Sequence, residues 1–238
     1  RLADSSAPDL KALVTGSRGG LGIITRATIR VRPLPARSEF HAWLFSDFAA
    51  GIVALHAAAR AEIPNLMLRL SDAGDTRFRR NFPRAEKWRG LKDRLRDRYL
   101  GLRRMNGQAA LLIAGFSGNQ KDIAAARDNF AALAKRLGAL SLGEEQRWQE
   151  ERFAGPALRD SLLEHGVGVE RLEVSASWSK LPALYAATRR VLDAAMRRHI
   201  PCPGAHGLVL GHVARSGAEG ASLVFTCIFP RTLNDEMA

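Results

Sequence analysis

The sequence predicts an α+β fold: an antiparallel sheet with helices on one face. Apolar runs typical of β-strands alternate with the periodic patterns of amphipathic helices along most of the 238 residues. The helices are too few for a parallel doubly wound sheet, in which parallel strands are joined by crossover helices. The recurring unit of strand, long helix and strand therefore favours a ferredoxin-like arrangement.

The first part of this pattern follows residues 32–35, whose two prolines mark the exit from a preceding segment. The predicted elements are strands at 40–45, 66–70 and 109–116 and helices at 48–60 and 121–137. Gly138 follows the second of these helices, at the position where helices commonly end.

The second part of the pattern closes in a hairpin. The predicted elements are short helices at 144–152 and 156–164, a strand at 167–175, a long helix at 181–199 and paired strands at 208–213 and 222–229. Ala154 and Gly155 separate the two short helices.

A glycine-rich loop lies near the start of the chain. Gly16, Gly19, Gly20 and Gly22 fall within seven residues, and a β-branched run follows at once. This order predicts a tight backbone loop that leads into a buried strand. Backbone N–H groups of such a loop can approach an anionic group such as a pyrophosphate. Glycine turns before strands are also common as purely structural features, so the residues alone leave both interpretations open.

The positive charge of the chain is concentrated in one segment. The formal charge is +12, and residues 77–104 contribute twelve basic against three acidic side chains. Trp88, Leu91, Leu95 and Tyr99 have helical spacing, which favours an amphipathic helix that docks its apolar stripe on the body of the protein. The same pattern suits a basic helix on an anionic membrane surface. Aromatic residues among the basic ones also leave nucleic-acid binding open.

The chain carries no motif for covalent or metal chemistry of its own. It lacks a Ser-His-Asp order, HExxH, a Walker loop and metal-ligand spacing, so we assign neither a catalytic residue nor a metal. Cys202 and Cys227 are too few for a disulfide framework or a structural zinc site, and we expect free thiols in a reducing cytoplasm. No apolar run approaches the ~20 residues that span a bilayer. The chain is expected either to bind a ligand or to depend on a cofactor.

The order of residues around the glycine loop resembles a known family. Pro8-Asp9-Leu10 and the run from 13 to 35 are similar to the segment that closes the flavin-binding domain of FAD-linked oxidases of the vanillyl-alcohol oxidase type. Arg18 stands where that family usually has Glu. The resemblance implies that residues 1–35 end an FAD-binding domain and that residues 36–238 form a substrate-capping domain of ferredoxin-like fold. It implies FAD contacts for Gly16, Ser17, Gly19, Gly20, Gly22 and Ile23.

Two internal motifs narrow the resemblance to alkyl-dihydroxyacetonephosphate synthase-like proteins. Residues 66–72 resemble S-I-R-L-M-D-N, which implies that Arg69 faces the flavin and the substrate. Residues 159–178 resemble R-D…E-T-S-A-P-W, which implies that Arg159 binds a substrate phosphate or carboxylate. A guanidinium suits this role because it presents a fixed fork and stays charged. The alternative is that Arg69 faces solvent on the polar side of a half-exposed strand.

The closing hairpin carries a third motif. Residues 207–229 resemble H-x-S-H-x-Y-x-x-G-A-S-L-Y-F-T-F, which implies a substrate contact for His212. Arg215 replaces the second histidine of that motif, and Gly217 replaces its tyrosine. The missing tyrosine argues against transferring the synthase reaction unchanged.

We therefore expect a fragment of a flavin-dependent oxidoreductase or of an alkyl-dihydroxyacetonephosphate synthase-like enzyme that acts on an anionic small substrate. A 2-hydroxy-acid dehydrogenase of the D-lactate or glycolate type is the alternative within the family. A basic membrane- or nucleic-acid-binding module is the alternative of another class. Arg18 and Gly217 also leave open a member whose chemistry has degenerated.

The expected cofactor is FAD, in the intact protein, whereas this piece alone is expected to hold no FAD and to be inactive. As partners we expect the anionic substrate but no nucleic acid, and residues 77–104 leave contact with a membrane surface open. The resemblance is also compatible with a homodimer. We expect a cytoplasmic location.

Overall fold

The computed structural model describes residues 9–17, 19–31, 33–81, 107–145, 155–200 and 206–231, without the side chains of 79–81 and 155–159. The chain divides into two compact units, Arg1–Leu34 and Pro35–Ala238. Pro35 opens the second unit, and a proline there fits a segment boundary because it has no N–H group for a sheet ladder.

Within the described residues, the second unit is built on a seven-stranded sheet. Its strands are β1 (Arg37–Phe45), β2 (Met67–Ser71), β3 (Ala110–Gly118), β4 (Leu140–Glu144), β5 (Val167–Ser177), β6 (Leu208–Ser216) and β7 (Gly220–Pro230). They lie in the order β4-β1-β3-β2-β6-β7-β5. All six pairings between neighbours are antiparallel.

Helices connect these strands in a ferredoxin-like pattern. The first unit contains α1 (Leu10–Val14), and the second contains α2 (Phe48–Arg60), α3 (Ala73–Asn81), α4 (Gln120–Arg136), α5 (Gly155–Glu164) and α6 (Leu181–His199). The segments β1-α2-β2 and β3-α4-β4 interleave to give the strand order β4-β1-β3-β2. The predicted fold class is confirmed, and β5, β6 and β7 extend the same sheet.

The main hydrophobic core lies between one face of the sheet and the helices α2, α4 and α6, and we call this the helical face. Leu55 of α2 and Leu70 of β2 are completely buried there. Trp43 of β1 meets Phe130 of α4 edge to face, with ring centroids 4.8 Å apart. Each large apolar side chain buried in this way contributes about 1.5–3 kcal/mol, so this layer is the main source of stability.

One predicted helix, at 144–152, is wrong at its start. Glu144 is the last residue of β4, a strand that the sequence pattern did not predict. Residues 146–152 lie outside the described part of the chain. Strand β4 has five residues and pairs only with β1, at the edge of the sheet. So short a run has almost no periodicity of its own, and the partner strand decides its conformation.

The other predicted strands and helices of the second unit are found, with ends that differ by at most three residues. Gly138 has φ +79°, the left-handed conformation expected directly after a helix. Helix α3, which enters the basic segment 77–104, was not predicted. The proposed apolar stripe of that segment, Trp88 to Tyr99, lies outside the described residues, as does Cys202. Cys227 is a buried free thiol, and burial raises its pKa.

The first unit consists of α1 and a series of turns. The Asp9 side chain caps α1 by accepting the Ala12 N–H at 3.1 Å. The predicted buried strand after the glycine loop is wrong: residues 23–31 form no strand, and Ile23 and Ile29 are 90% and 75% exposed. A strand needs a neighbour to pair with its backbone N–H and C=O groups, and the described residues of this unit provide none.

Gly220 opens β7 at a point where the chain passes very close to β5. A Cβ at Gly220 would overlap the carbonyl oxygen of Ala176. Because backbone atoms would have to shift, we expect Gly220→Ala to lower the free energy of unfolding by about 1–3 kcal/mol, measured by urea denaturation. Gly217→Ala is the matched control, since a Cβ there meets nothing within 4 Å. Equal stability of the two variants would show that this close approach is not required.

Candidate functional site

The second face of the sheet, opposite the helical face, carries Arg69 and His212. Leu68 and Leu70 of β2 belong to the helical core, so Arg69 between them projects to the second face. Ser71 lies directly opposite His212 of β6, which places both side chains on the face of Arg69. The structure therefore brings Arg69 and His212 to neighbouring strands on one face.

Arg69 is held by a buried carboxylate. Its Nη2 lies 2.9 Å from Oδ2 of Asp75 in the first turn of α3. Ser71 Oγ donates to the same oxygen at 2.6 Å. The side chains of Arg69 and Asp75 are 12% and 7% exposed, so Arg69 does not face solvent freely. The ion pair compensates the charge and orients a group that has five N–H donors.

The turn from β2 into α3 explains why Asp75 reaches this position. Oδ1 of Asp72 accepts the Asp75 N–H at 2.8 Å, and the Asp72 carbonyl accepts the Thr76 N–H at 2.8 Å. Asp72 is therefore the N-cap of α3. The Thr76 hydroxyl oxygen in turn accepts the Leu111 N–H at 3.1 Å, which ties α3 to β3.

Asp72 also joins the sheet to α6. Its Oδ2 accepts hydrogen bonds from the Tyr185 hydroxyl at 2.9 Å and from Arg189 Nη1 at 2.6 Å. Asp72 is completely buried. Burial raises the pKa of its carboxyl above the ordinary 3.8, although nearby donors and the Arg189 charge favour the ionised form. Burial likewise raises the pKa of Tyr185, whose ring packs on Phe48 at a centroid distance of 4.3 Å.

Sequence reasoning selected Arg69 but gave no role to the residues that hold it. Asp72 and Asp75 follow a predicted strand at the spacing of an N-cap and the third helical residue, which is a recognisable start signal. No comparable signal marks Tyr185 and Arg189, because their partner is more than a hundred residues earlier in the chain.

His212 is buried, at 5% exposure, in the middle of the second face. It lies opposite Val224 of β7, which in turn lies opposite Glu173 of β5. Glu173 therefore projects to the same face as His212. Arg159, the other predicted substrate ligand, lies in α5, and its side chain is outside the described part of the structure.

A shallow depression of about 500 Å³ lies at one end of the strands β5, β6 and β7. Ser175, Arg215 and Ser222 line it, and both Ser175 and Arg215 lie opposite Ser222 in the ladders. The Ser175 and Ser222 hydroxyl oxygens are 2.9 Å apart. Trp178 Nε1 donates to the carbonyl oxygen of Gly217 at 3.1 Å and holds the hairpin loop. The depression offers hydroxyl groups and one guanidinium, and the carboxylate of Glu219 also lines it, so its charged side chains balance.

The glycine loop of the first unit has the geometry that close backbone approach requires. Gly16, Gly19 and Gly22 have φ of 89°, 85° and 140°, which L side chains rarely adopt. A Cβ on any of these three would meet nothing within 4 Å. The Ser17 carbonyl accepts the Gly20 N–H at 2.9 Å and closes a tight turn. The open space at these glycines leaves room for the close approach of a phosphate group, while the N–H groups of Ser17, Gly20 and Gly22 donate within the segment itself.

In the described ranges, no helix is long and apolar enough to cross a membrane. The same ranges contain no group of three His, Cys, Asp or Glu side chains placed to hold a metal ion.

Comparison with known proteins identifies the family. Residues 34–236 match the family described as FAD linked oxidases, C-terminal domain. The chain belongs to this family, which confirms the resemblance seen in the sequence. The family implies FAD as the cofactor of the intact enzyme.

Three curated relatives of the chain are alkyldihydroxyacetonephosphate synthases. That of Dictyostelium discoideum is 26% identical over 239 residues, which cover 96% of this chain and 38% of the relative. That of Trypanosoma brucei brucei is 27% identical over 228 residues, covering 92% and 36%. A solved structure of such a synthase matches with TM-score 0.77 and 25% identity, over 97% of this chain and 42% of the other. The chain spans somewhat more than a third of the length of these curated relatives.

Asp72→Asn tests whether burial or the Arg189 charge decides the pKa of Asp72. A raised pKa means that the folded protein keeps this proton to higher pH than the unfolded chain does. The wild type should then lose stability relative to Asp72→Asn as pH rises above 3.8. Urea unfolding between about pH 4 and pH 7 measures the difference. If the wild type instead gains stability relative to Asp72→Asn as pH rises, the ion pair with Arg189 outweighs burial. Asp128→Asn on the surface of α4 is the control.

Proposed function

We propose that the chain forms the substrate side of a flavin-dependent enzyme that acts on a small anionic substrate. The observation that supports this most directly is the second face of the sheet, where a guanidinium fixed by Asp75 shares the face with His212. An arginine held in one orientation by a buried partner is well suited to bind phosphate or carboxylate, because little conformational freedom is lost on binding.

In this proposal Arg69 and Arg159 bind the anionic group of the substrate. Their guanidinium groups stay charged at any working pH and offer paired N–H donors to two oxygens. His212 contributes a hydrogen bond from a neighbouring strand. Its burial keeps water away from the bound group and strengthens these electrostatic contacts.

The proposed FAD contacts are the main-chain atoms and small residues of the first unit, namely Gly16, Ser17, Gly19, Gly20, Gly22 and Ile23. The open backbone and positive φ values of the glycines support this assignment. When bound, FAD supplies the redox chemistry that none of the described side chains can provide.

The first candidate reaction is that of an alkyldihydroxyacetonephosphate synthase, in which an alkyl group replaces an acyl group on glycerone phosphate. Two relatives and one solved structure with this name support it. The substrate phosphate would be the group that Arg69 and Arg159 bind.

The second candidate is a 2-hydroxy-acid dehydrogenase. It is favoured by Gly217, which offers no hydroxyl where the synthase-like motif has a tyrosine, and around which the structure leaves open space. Such an enzyme would direct the same arginines to a carboxylate. Membrane contact through residues 77–104 is a further proposal, since most of that segment lies outside the described residues. A cytoplasmic location is proposed from the expected free thiols.

The role of Arg69 is tested by removing the charged pair as a unit. In the full-length enzyme, Asp75→Asn with Arg69→Met replaces a buried ion pair by neutral side chains, which commonly preserves the fold. We expect an unchanged unfolding midpoint but a KM for the anionic substrate raised by about tenfold or more. Asp75→Asn alone leaves the Arg69 charge buried without this carboxylate and should lower the unfolding midpoint, so it is the control that separates loss of stability from loss of the arginine. Wild-type kinetics in the double variant would restrict Arg69 to a structural role.

The cofactor and substrate class are tested on the protein in its natural full length. We expect a flavin absorption band and turnover of an acyl-glycerone phosphate with a long-chain alcohol. Bleaching of the flavin by D-lactate or glycolate, without the exchange reaction, would instead favour the dehydrogenase. A folded, colourless protein that takes up no added FAD would overturn both.

A further inference from the structure

A groove lined by arginines lies between α3 and α6, and we call it the arginine groove. Its volume is about 530 Å³, within the range of small-molecule sites. Arg77 of α3 stands on one side, and Arg189, Arg190 and Arg197 of α6 stand on the other. Asp193 is the one acidic residue among those that line it.

Asp193, the one acidic residue that lines the groove, already forms an ion pair with Arg189. Asp193 Oδ2 lies 3.6 Å from Arg189 Nε, while Arg189 Nη1 donates to the buried Asp72. Arg189 is therefore compensated by two carboxylates. Arg189 and its two carboxylates therefore add no net positive charge to the groove, whose positive charge comes from the other arginines.

The positive charges of the other three arginines are not compensated by a carboxylate among the described residues. Arg77 Nη1 donates to the Gly107 carbonyl at 2.8 Å, a bond that orients the guanidinium without neutralising it. Among the described residues, no carboxylate lies within ion-pair distance of Arg77, Arg190 or Arg197. Three like charges around one cavity repel one another unless an anion occupies it.

Two of these arginines, Arg190 and Arg197, lie on the same side of α6. Arg190 and Arg197 are seven residues apart, two helical turns, and so lie on one side of the helix. Ala186, four residues before Arg190, also lines the groove, and its small side chain leaves room. Guanidinium groups on two walls suit an anion with several oxygens, and a phosphate accepts paired N–H bonds from more than one of them.

We propose that the arginine groove binds a small phosphate dianion or pyrophosphate group, through Arg77, Arg190 and Arg197. The groove lies beside α6, whereas Arg69 and His212 project from the second face of the sheet. The proposal therefore does not depend on the proposed enzymatic function. The phosphate can come from a soluble phosphorylated compound or from the headgroup of an anionic lipid, since the recognising chemistry is the same.

The test is calorimetric titration of the full-length protein with inorganic pyrophosphate at about 0.1 M salt. The double variant Arg190→Gln with Arg197→Gln should weaken binding by about tenfold or more. The matched control is Arg136→Gln with Arg198→Gln, which removes the same charge from exposed positions outside the groove. Unfolding midpoints of both double variants show that the fold is kept.

A second arm distinguishes the source of the phosphate. Sedimentation with phosphatidylcholine vesicles, with and without phosphatidic acid, is compared for the wild type and both double variants. Binding to phosphatidic acid that only the groove variant loses assigns the groove to a lipid headgroup, whereas binding of pyrophosphate alone assigns it to a soluble ligand. Equal losses in the groove variant and the control, or no binding of either probe, would overturn the proposal.

Discussion

Two carboxylates at the start of α3 hold the second unit together around the candidate site. Asp72 uses one oxygen to cap α3 and the other to accept hydrogen bonds from Tyr185 and Arg189 of α6. Asp75, one turn later, holds Arg69 on the opposite side of the sheet. A buried carboxylate without donors is strongly unfavourable. Asp75 is therefore stabilised once α3 packs on β2, and Asp72 receives its side-chain donors once α6 packs beside them.

The alternation of side chains along β2 lets one strand serve the core and the site together. Leu68 and Leu70 pack under the helices, while Arg69 and Ser71 project to the second face. A register slip of one residue would bury Arg69 in the apolar core and expose the leucines. Because burial of Leu68 and Leu70 on the helical face fixes the register of β2, it also fixes Arg69 on the other face.

The parts of the fold that could be predicted are those with long, regular patterns. Helices α4 and α6 carry many turns of apolar periodicity, and the hairpin of β6 and β7 carries two alternating runs. Strand β4 and the stretch at 23–31 could not be predicted in this way. Strand β4 forms because β1 lies beside it and pairs with it. Residues 23–31 form no strand because the described residues of their unit offer no neighbouring strand.

The family and the fold class could be predicted from local residue order, and Arg69 was selected from its place in a short motif. The partners of Arg69 and of Arg189 follow from tertiary contacts. Asp72 meets Tyr185 and Arg189 across more than a hundred residues of chain. No local pattern encodes such a contact, because it exists only once α6 has packed on the sheet and excluded water from the carboxylate.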